Sequence, residues 1–208
     1  VNATPPTLPV THPSAQRRSR LMMVLLATLF FGPVFLAAIL YYAAPGYRPQ
    51  GRTNYGTLID PAKPVPSFVL ADVDNQPRPE LLLGKWSLIQ LGSAECDAAC
   101  GERFLQIRQV RLALGKNLAR LQRVYIAPDK TALAAMLAQH AAEHPDAQFV
   151  VDGGAAGARA SDFFRPLGAD ALYLVDPNGN WLMVYSGAID SKLLLKDLKT
   201  LMRLSSIG

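Results

Sequence analysis

Cys96 and Cys100 are the only two cysteines of the chain and stand in the run Leu91-Gly92-Ser93-Ala94-Glu95-Cys96-Asp97-Ala98-Ala99-Cys100. A Cys-x-x-x-Cys spacing puts two thiols about one helical turn apart. Two chemistries suit such a pair: thiol–disulfide exchange, or the binding of a soft metal ion such as Cu(I) by two sulfurs. The apolar run before the pair reads as a strand and the segment after it as a helix, so the thiols fall near a helix N-terminus. Unpaired N–H groups and the helix dipole there favour thiolate over thiol, while Glu95 and Asp97 oppose this slightly. A disulfide across so short a loop removes little chain entropy, which makes a structural staple the weaker reason for the pair.

Other candidate residues have plainer readings. His140 and His144 share a helix face at i, i+4 and could hold a surface metal, but solvated histidines near a helix C-terminus account for them as well. His12 lies before the apolar segment. Arg103, Arg108, Arg111, Lys116, Arg120 and Arg123 could dock an acidic partner or lipid head groups; a solvated helix face is the simpler expectation. The glycine-rich stretch from Asp152 to Gly157 lacks the Gly-Lys-Ser/Thr of a phosphate loop. Trp86 and Trp181 sit in strand patterns and read as core.

The elements that must position the cysteines alternate between strand and helix. Ser67 to Val73, Trp86 to Leu91, Leu121 to Ala127 and Gln148 to Asp152 read as strands, with Ala171 to Asp176 and Trp181 to Ser186 as a hairpin around Pro177-Asn178-Gly179-Asn180. Helices are expected over Gly101 to Asn117, Thr131 to His144 and Asp190 to Leu204, with a helical turn within Gly157 to Arg165. This order predicts an α/β domain with a central mixed sheet flanked by helices. A right-handed crossover between the Trp86 and Leu121 strands places Cys96 at the C-terminal end of a strand, where such sheets hold reactive groups.

Of the 208 residues, 50% are hydrophobic, and one segment concentrates the excess. Leu21 to Tyr42 carries no charge and is long enough for a bilayer core about 30 Å thick. Tyr41-Tyr42-Ala43-Ala44 lacks the small-residue pattern of a signal-peptidase site, so the segment reads as an uncleaved anchor. Arg17, Arg18 and Arg20 precede it, which predicts a cytoplasmic N-terminus and an exported C-terminal domain. The organisation expected is a disordered tail over 1–20, a transmembrane helix over 21–43, a Pro- and Gly-rich linker over 44–65 and a folded domain over 66–208. The net charge of +5 lies largely in that arginine cluster, and nothing in it calls for a nucleic-acid partner.

From about Pro64 to Leu204 the sequence resembles the thioredoxin-like Sco proteins, membrane-anchored factors of cytochrome c oxidase assembly that handle copper and thiol redox state. The resemblance rests on PVPSFVLADVDNQP, LGSAECDAAC, RVYIAPDKTALAAMLAQH and ALYLVDPNGNWLMVYSG. It implies a thioredoxin-like fold, Cys96 and Cys100 as redox residues or copper ligands, an inner-membrane location with a periplasmic domain, and an oxidase subunit or another assembly factor as partner. The family's distant histidine ligand would fall near Gly168, and the chain there reads Arg165-Pro166-Leu167-Gly168-Ala169-Asp170. The family's prolines after each cysteine are replaced by Asp97 and Gly101, and its proline before the hairpin by a residue near Asp170. A thiol–disulfide oxidoreductase role therefore leads, with a copper-binding chaperone or scaffold as the alternative.

Overall fold

The computed structural model describes residues 13–43, 54–155, 157–164 and 171–208, in two separate units, 1–52 and 53–208. The start of the expected tail, the first part of the expected linker (44–53) and the segment 165–170 with the Gly168 and Asp170 positions lie outside the described residues.

The first unit contributes one helix, α1 (Pro13–Ala43), with Pro33 inside it. Its stretch Arg17–Ala43 is long and apolar enough to cross a membrane. The expected anchor, Leu21 to Tyr42, falls within it.

The second unit is built on a seven-stranded mixed sheet: β1 (Thr57–Pro64), β2 (Leu70–Ala71), β3 (Trp86–Leu91), β4 (Leu121–Ala127), β5 (Ala147–Asp152), β6 (Leu172–Val175) and β7 (Asn180–Tyr185), in the spatial order β1-β7-β6-β3-β4-β5-β2. Strands β3, β4 and β5 run parallel, Trp86 facing Leu121 and Arg123 facing Ala147 in register, and the outer pairings are antiparallel. The helices are α2 (Ala98–Leu112), α3 (Lys130–His140), α4 (Ala160–Phe164) and α5 (Ser191–Leu204).

Several elements differ from expectation, and residues 13–20, read as part of a disordered tail, open α1. The strand expected over Ser67 to Val73 shrinks to β2, pinned by pairing of Leu70 and Ala71 with β5. Residues read as linker instead enter the sheet as edge strand β1 against β7, its two prolines being tolerable at an edge.

Alternation along the central strands divides the core. Ile89, Val124, Ile126, Tyr173 and Val184 face one side with Phe68 and Phe164. On the other, Leu88, Leu172, Leu174 and Met183 meet Ile107, Val110, Leu194 and Leu198 of α2 and α5. Phe104, Tyr125, Leu133 and Met136 form a third cluster, and the two cysteines pack on it. Central β3 is buried throughout except at Leu91, as a parallel strand covered on both faces must be.

Each of the three longer helices of this unit starts on an aspartate whose carboxylate accepts backbone N–H groups. Asp97 accepts from Cys100, Asp129 from Ala132, and Asp190 from Lys192 and Leu193. Each cap contributes about 1 kcal/mol. These caps fix where the helices begin, and the first sets the geometry of the cysteine pair.

Candidate functional site: a capped dithiol pair

Strand β3 hands the chain to the site through Gly92, whose N–H donates to Ile126 O at 2.8 Å and so extends the pairing with β4 by one step. A side chain at Gly92 would overlap the hydroxyl and Cζ of Tyr125, so only glycine allows the backbone to pass there. Tyr125 is buried, and burial raises its pKa, which keeps the phenol protonated. Beyond Gly92 the Ser93 hydroxyl donates to Glu95 O at 2.5 Å, closing the turn into α2.

Cys96 lies just before the cap residue Asp97, and Cys100 is the third residue of α2. Their Cα atoms are 5.2 Å apart and the sulfurs form a disulfide. The thiols fall near a helix N-terminus as expected, Cys96 in the loop and Cys100 in the first turn of a helix that starts before Gly101. Asp97 explains why its charge is kept beside the pair: its Oδ1 accepts the Cys100 N–H at 2.8 Å, a cap position the composition of the loop did not by itself disclose.

The two sulfurs have different surroundings. Cys100 Sγ accepts a hydrogen bond from Gln90 Nε2 at 3.5 Å, and Gln90 is only 5% exposed, its Oε1 without a partner among the described residues. Cys96 instead opens onto a concavity of about 450 Å³ that it shares with Asp97, Gly101, Glu102, Gln139, His140 and Glu143. The His140 ring stacks on Gly101, where a Cβ would stand 3.0 Å from its Cε1. The absence of a side chain at Gly101 is what lets the imidazole approach the first turn of α2.

His144 corrects the expectation of a solvated pair. It is 1% exposed, packs edge-on to Phe104 at 4.7 Å between centroids, and has Nδ1 3.4 Å from Arg123 Nη1. Burial and then the charge of Arg123 lower its pKa, so it is neutral near pH 7. The basic residues also depart from a common solvated face. Arg123 belongs to β4, is 1% exposed, and pairs with Asp146 through Nη2 at 2.6 Å and Nε at 3.2 Å while donating to Phe104 O. Arg111 donates to the same carboxylate at 2.9 Å and to Leu121 O. Arg120 binds the carbonyls of Met202, Ser205, Ile207 and Gly208. Burial pushes the Asp146 carboxyl up, but its hydrogen bond to Arg123 and the charges of Arg123 and Arg111 outweigh that and hold it below the usual range. This bracket carries Phe104, and Phe104 carries the cysteines' packing surface.

Among the described residues no group of three or more His, Cys, Asp or Glu side chains is arranged to hold a metal ion. The pair alone, once reduced, presents two soft donors of the kind Cu(I) accepts.

Parallel β3, β4 and β5, an adjoining antiparallel hairpin, and a cysteine pair where β3 gives way to a helix define a thioredoxin-like protein. The chain belongs to the family described as "Transmembrane-like, thioredoxin-like, C-terminal domain", which matches residues 86–205, more than half of its length. No curated protein matches the sequence. Among solved structures it is similar to apo Sco1 from Thermus thermophilus, with 22% identity, a TM-score of 0.58, and 73% of this chain and 99% of that one covered. Yeast Sco1 with copper bound gives 20% identity, a TM-score of 0.53, and coverage of 74% and 95%. The thio-disulfide isomerase from Thermus thermophilus gives 19% identity, a TM-score of 0.51, and coverage of 72% and 99%. At these identities the likeness is one of fold, and in fold the resemblance to Sco proteins holds.

Proposed function

We propose that this protein is a membrane-anchored thiol–disulfide exchange factor of Sco-like type that acts in respiratory oxidase assembly. The observation that carries the reading is the asymmetry of the pair: Cys96 lines an open concavity while Cys100 is held against Gln90. Cys96 thiolate attacks one sulfur of a partner disulfide, a mixed disulfide forms, and the other partner sulfur leaves as thiolate. Cys100 then attacks the Cys96 sulfur, releasing the second partner thiol. The partner gains two electrons and this protein ends as the disulfide seen here. An oxidase subunit or another assembly factor carrying a cysteine pair is the substrate class.

The test is trapping. Cys100→Ser should accumulate a mixed disulfide through Cys96, and Cys96→Ser should not. Equal trapping by both variants, or by neither, would remove the exchange mechanism. Arg17, Arg18 and Arg20, in the first turns of α1 and ahead of its uncharged stretch, support a periplasmic domain on a bacterial inner-membrane anchor. Protease added to intact spheroplasts should therefore digest the chain beyond Arg48, and protection until lysis would reverse the topology.

Copper binding is the second reading, favoured by the softness of the reduced pair. Cys96 and Cys100 would hold Cu(I) as cargo, and the ion itself would pass to a partner's cysteine site. His140, in the same concavity, is the nitrogen donor available beside them.

A further inference from the structure

Helix α5 carries Lys192, Lys196, Lys199 and Arg203 at spacings of four, three and four, which places all four on one face. All are exposed, and together with Leu195 and Thr200 they line a single shallow surface. The only acid in the helix, Asp197, points away from it: its carboxylate is buried and accepts the Gly56 N–H at 2.9 Å. No salt bridge among the described residues involves any of the four cations. Beside the stripe stand two apolar side chains that the core does not use, Leu193 at 41% exposure and Leu204 at 78%.

The second observation is where the chain enters the domain. Tyr55 Oη donates to Ala188 O and accepts the Asp190 N–H, both at 3.0 Å, and Gly56 is held by Asp197. The first residues of the folded unit are thus fastened to the start of α5. Only residues 44–54 separate the end of α1 from Tyr55, a stretch that spans at most about 40 Å when fully extended. A tether of that length, fastened at this helix, allows α5 to reach a bilayer that holds α1. Lysine and arginine stems can lie along apolar surface with their charges at head groups, and flanking leucines can enter the interface.

We infer that the α5 face docks on anionic phospholipid, so that the tether and the Lys192–Lys196–Lys199–Arg203 stripe together fix the orientation of the domain on its own membrane. The inference rests on the membrane-anchor reading given above. An acidic protein surface is the competing occupant, and the short tether attached at this helix favours lipid.

The experiment uses the full chain in nanodiscs of phosphatidylcholine alone or of phosphatidylcholine with phosphatidylglycerol. Acetylation rates of individual lysines are read by mass spectrometry. Each cation near an anionic surface favours docking about fivefold, so in anionic discs Lys192, Lys196 and Lys199 should be labelled roughly tenfold more slowly or less. Lys85 and Lys130, exposed on other elements, should keep their rates. Raising the salt should return the three to the zwitterionic rate. In K199Q/R203Q, Lys192 and Lys196 should recover as reporters of lost docking. Equal rates in the two lipids with the protein co-eluting with discs would overturn the docking alone. A chain that does not co-elute with discs would overturn the anchor, and the docking with it.

Discussion

Removing the Asp146 carboxylate should be among the most damaging single changes outside the cysteines. Arg123 is 1% exposed and has two of its nitrogens on Asp146, at 2.6 and 3.2 Å. In Asp146→Ala that guanidinium keeps only Phe104 O, at 3.2 Å, and the neighbouring His144 ring. Breaking one side of a buried pair costs about 3–5 kcal/mol. Asp146 itself is 28% exposed, so water can reach part of the vacated space, and the lower end, about 3 kcal/mol, is the value expected. For a domain of this size that corresponds to a fall in Tm of roughly 6–12 °C. Urea unfolding of the detergent-solubilised chain, followed by the fluorescence of Trp86 and Trp181, measures it, since both indoles lie in the folded domain. The double variant Arg123→Met with Asp146→Leu should recover part of the loss, because it removes both charges of the most buried pair while Arg111 keeps its bond to Leu121 O. A loss below about 1 kcal/mol in Asp146→Ala, or a double variant as unstable as the single, would refute the idea that this bracket supports the site.

Acid should act on the same bracket in two stages. His144 has a lowered folded pKa, so the unfolded chain binds the extra proton first and stability falls as pH drops below about 6.5. Asp146 is also lowered; its contribution is complete above the unfolded carboxylate pKa near 3.9 and is lost as pH falls from there through the folded value. Urea midpoints from pH 8 to 3 should show both, and His144→Gln should abolish the first. Gln90→Leu removes both the donor to Cys100 and an orphaned carbonyl oxygen of the disulfide form, so the disulfide should become harder to reduce by about 20–60 mV in a glutathione titration. An unchanged potential would mean that Gln90 does not distinguish the two redox states. Gly92→Val drives a branched side chain into Tyr125 and should cost about 1–3 kcal/mol in the same urea assay.

The parallel core was legible because β3 and β4 are apolar runs bounded by turn residues, and both occupy the residues that patterning assigns. The cysteine pair was legible because its position follows locally, from the apolar run that ends at Leu91 and the helical pattern after it, although the cap at Asp97 was not read. Strand β1 was not, since Thr57–Pro64 is mostly exposed and contains two prolines, and its pairing with β7 is a tertiary choice no local pattern records. The expected helix from Gly101 to Asn117 starts earlier and ends earlier, because Asp97 caps it and Gly115, at φ 58°, turns the chain into a 3-10 segment. His144 and Arg123 were misread for one reason. Each is a charged or polar residue whose burial is supported by a partner distant in sequence, Asp146 for Arg123 and Arg123 for His144, and periodicity cannot see such pairs. The stripe on α5 lay open in the sequence as four cations at helical spacing, but its meaning depended on Tyr55 and Gly56 being fastened to the same helix.

The order of the two functional readings follows from how the three histidines are used. His12 precedes the apolar helix, and His144 is neutral, buried and committed to the Arg123 bracket. Both His140 and His144 line the concavity beside Cys96, but His144 reaches it as a buried ring already engaged with Arg123, which leaves His140 as the more open imidazole among the described residues. Cu(II) prefers nitrogen donors, and one imidazole with two sulfurs favours Cu(I) at most, in the reduced protein only. Exchange chemistry needs nothing beyond what is in place: a sulfur that a partner can reach, a second sulfur 5.2 Å away between Cα atoms to resolve the intermediate, and a buried amide that treats the two differently. On the proposed reading, exchange between sulfurs therefore comes before copper binding.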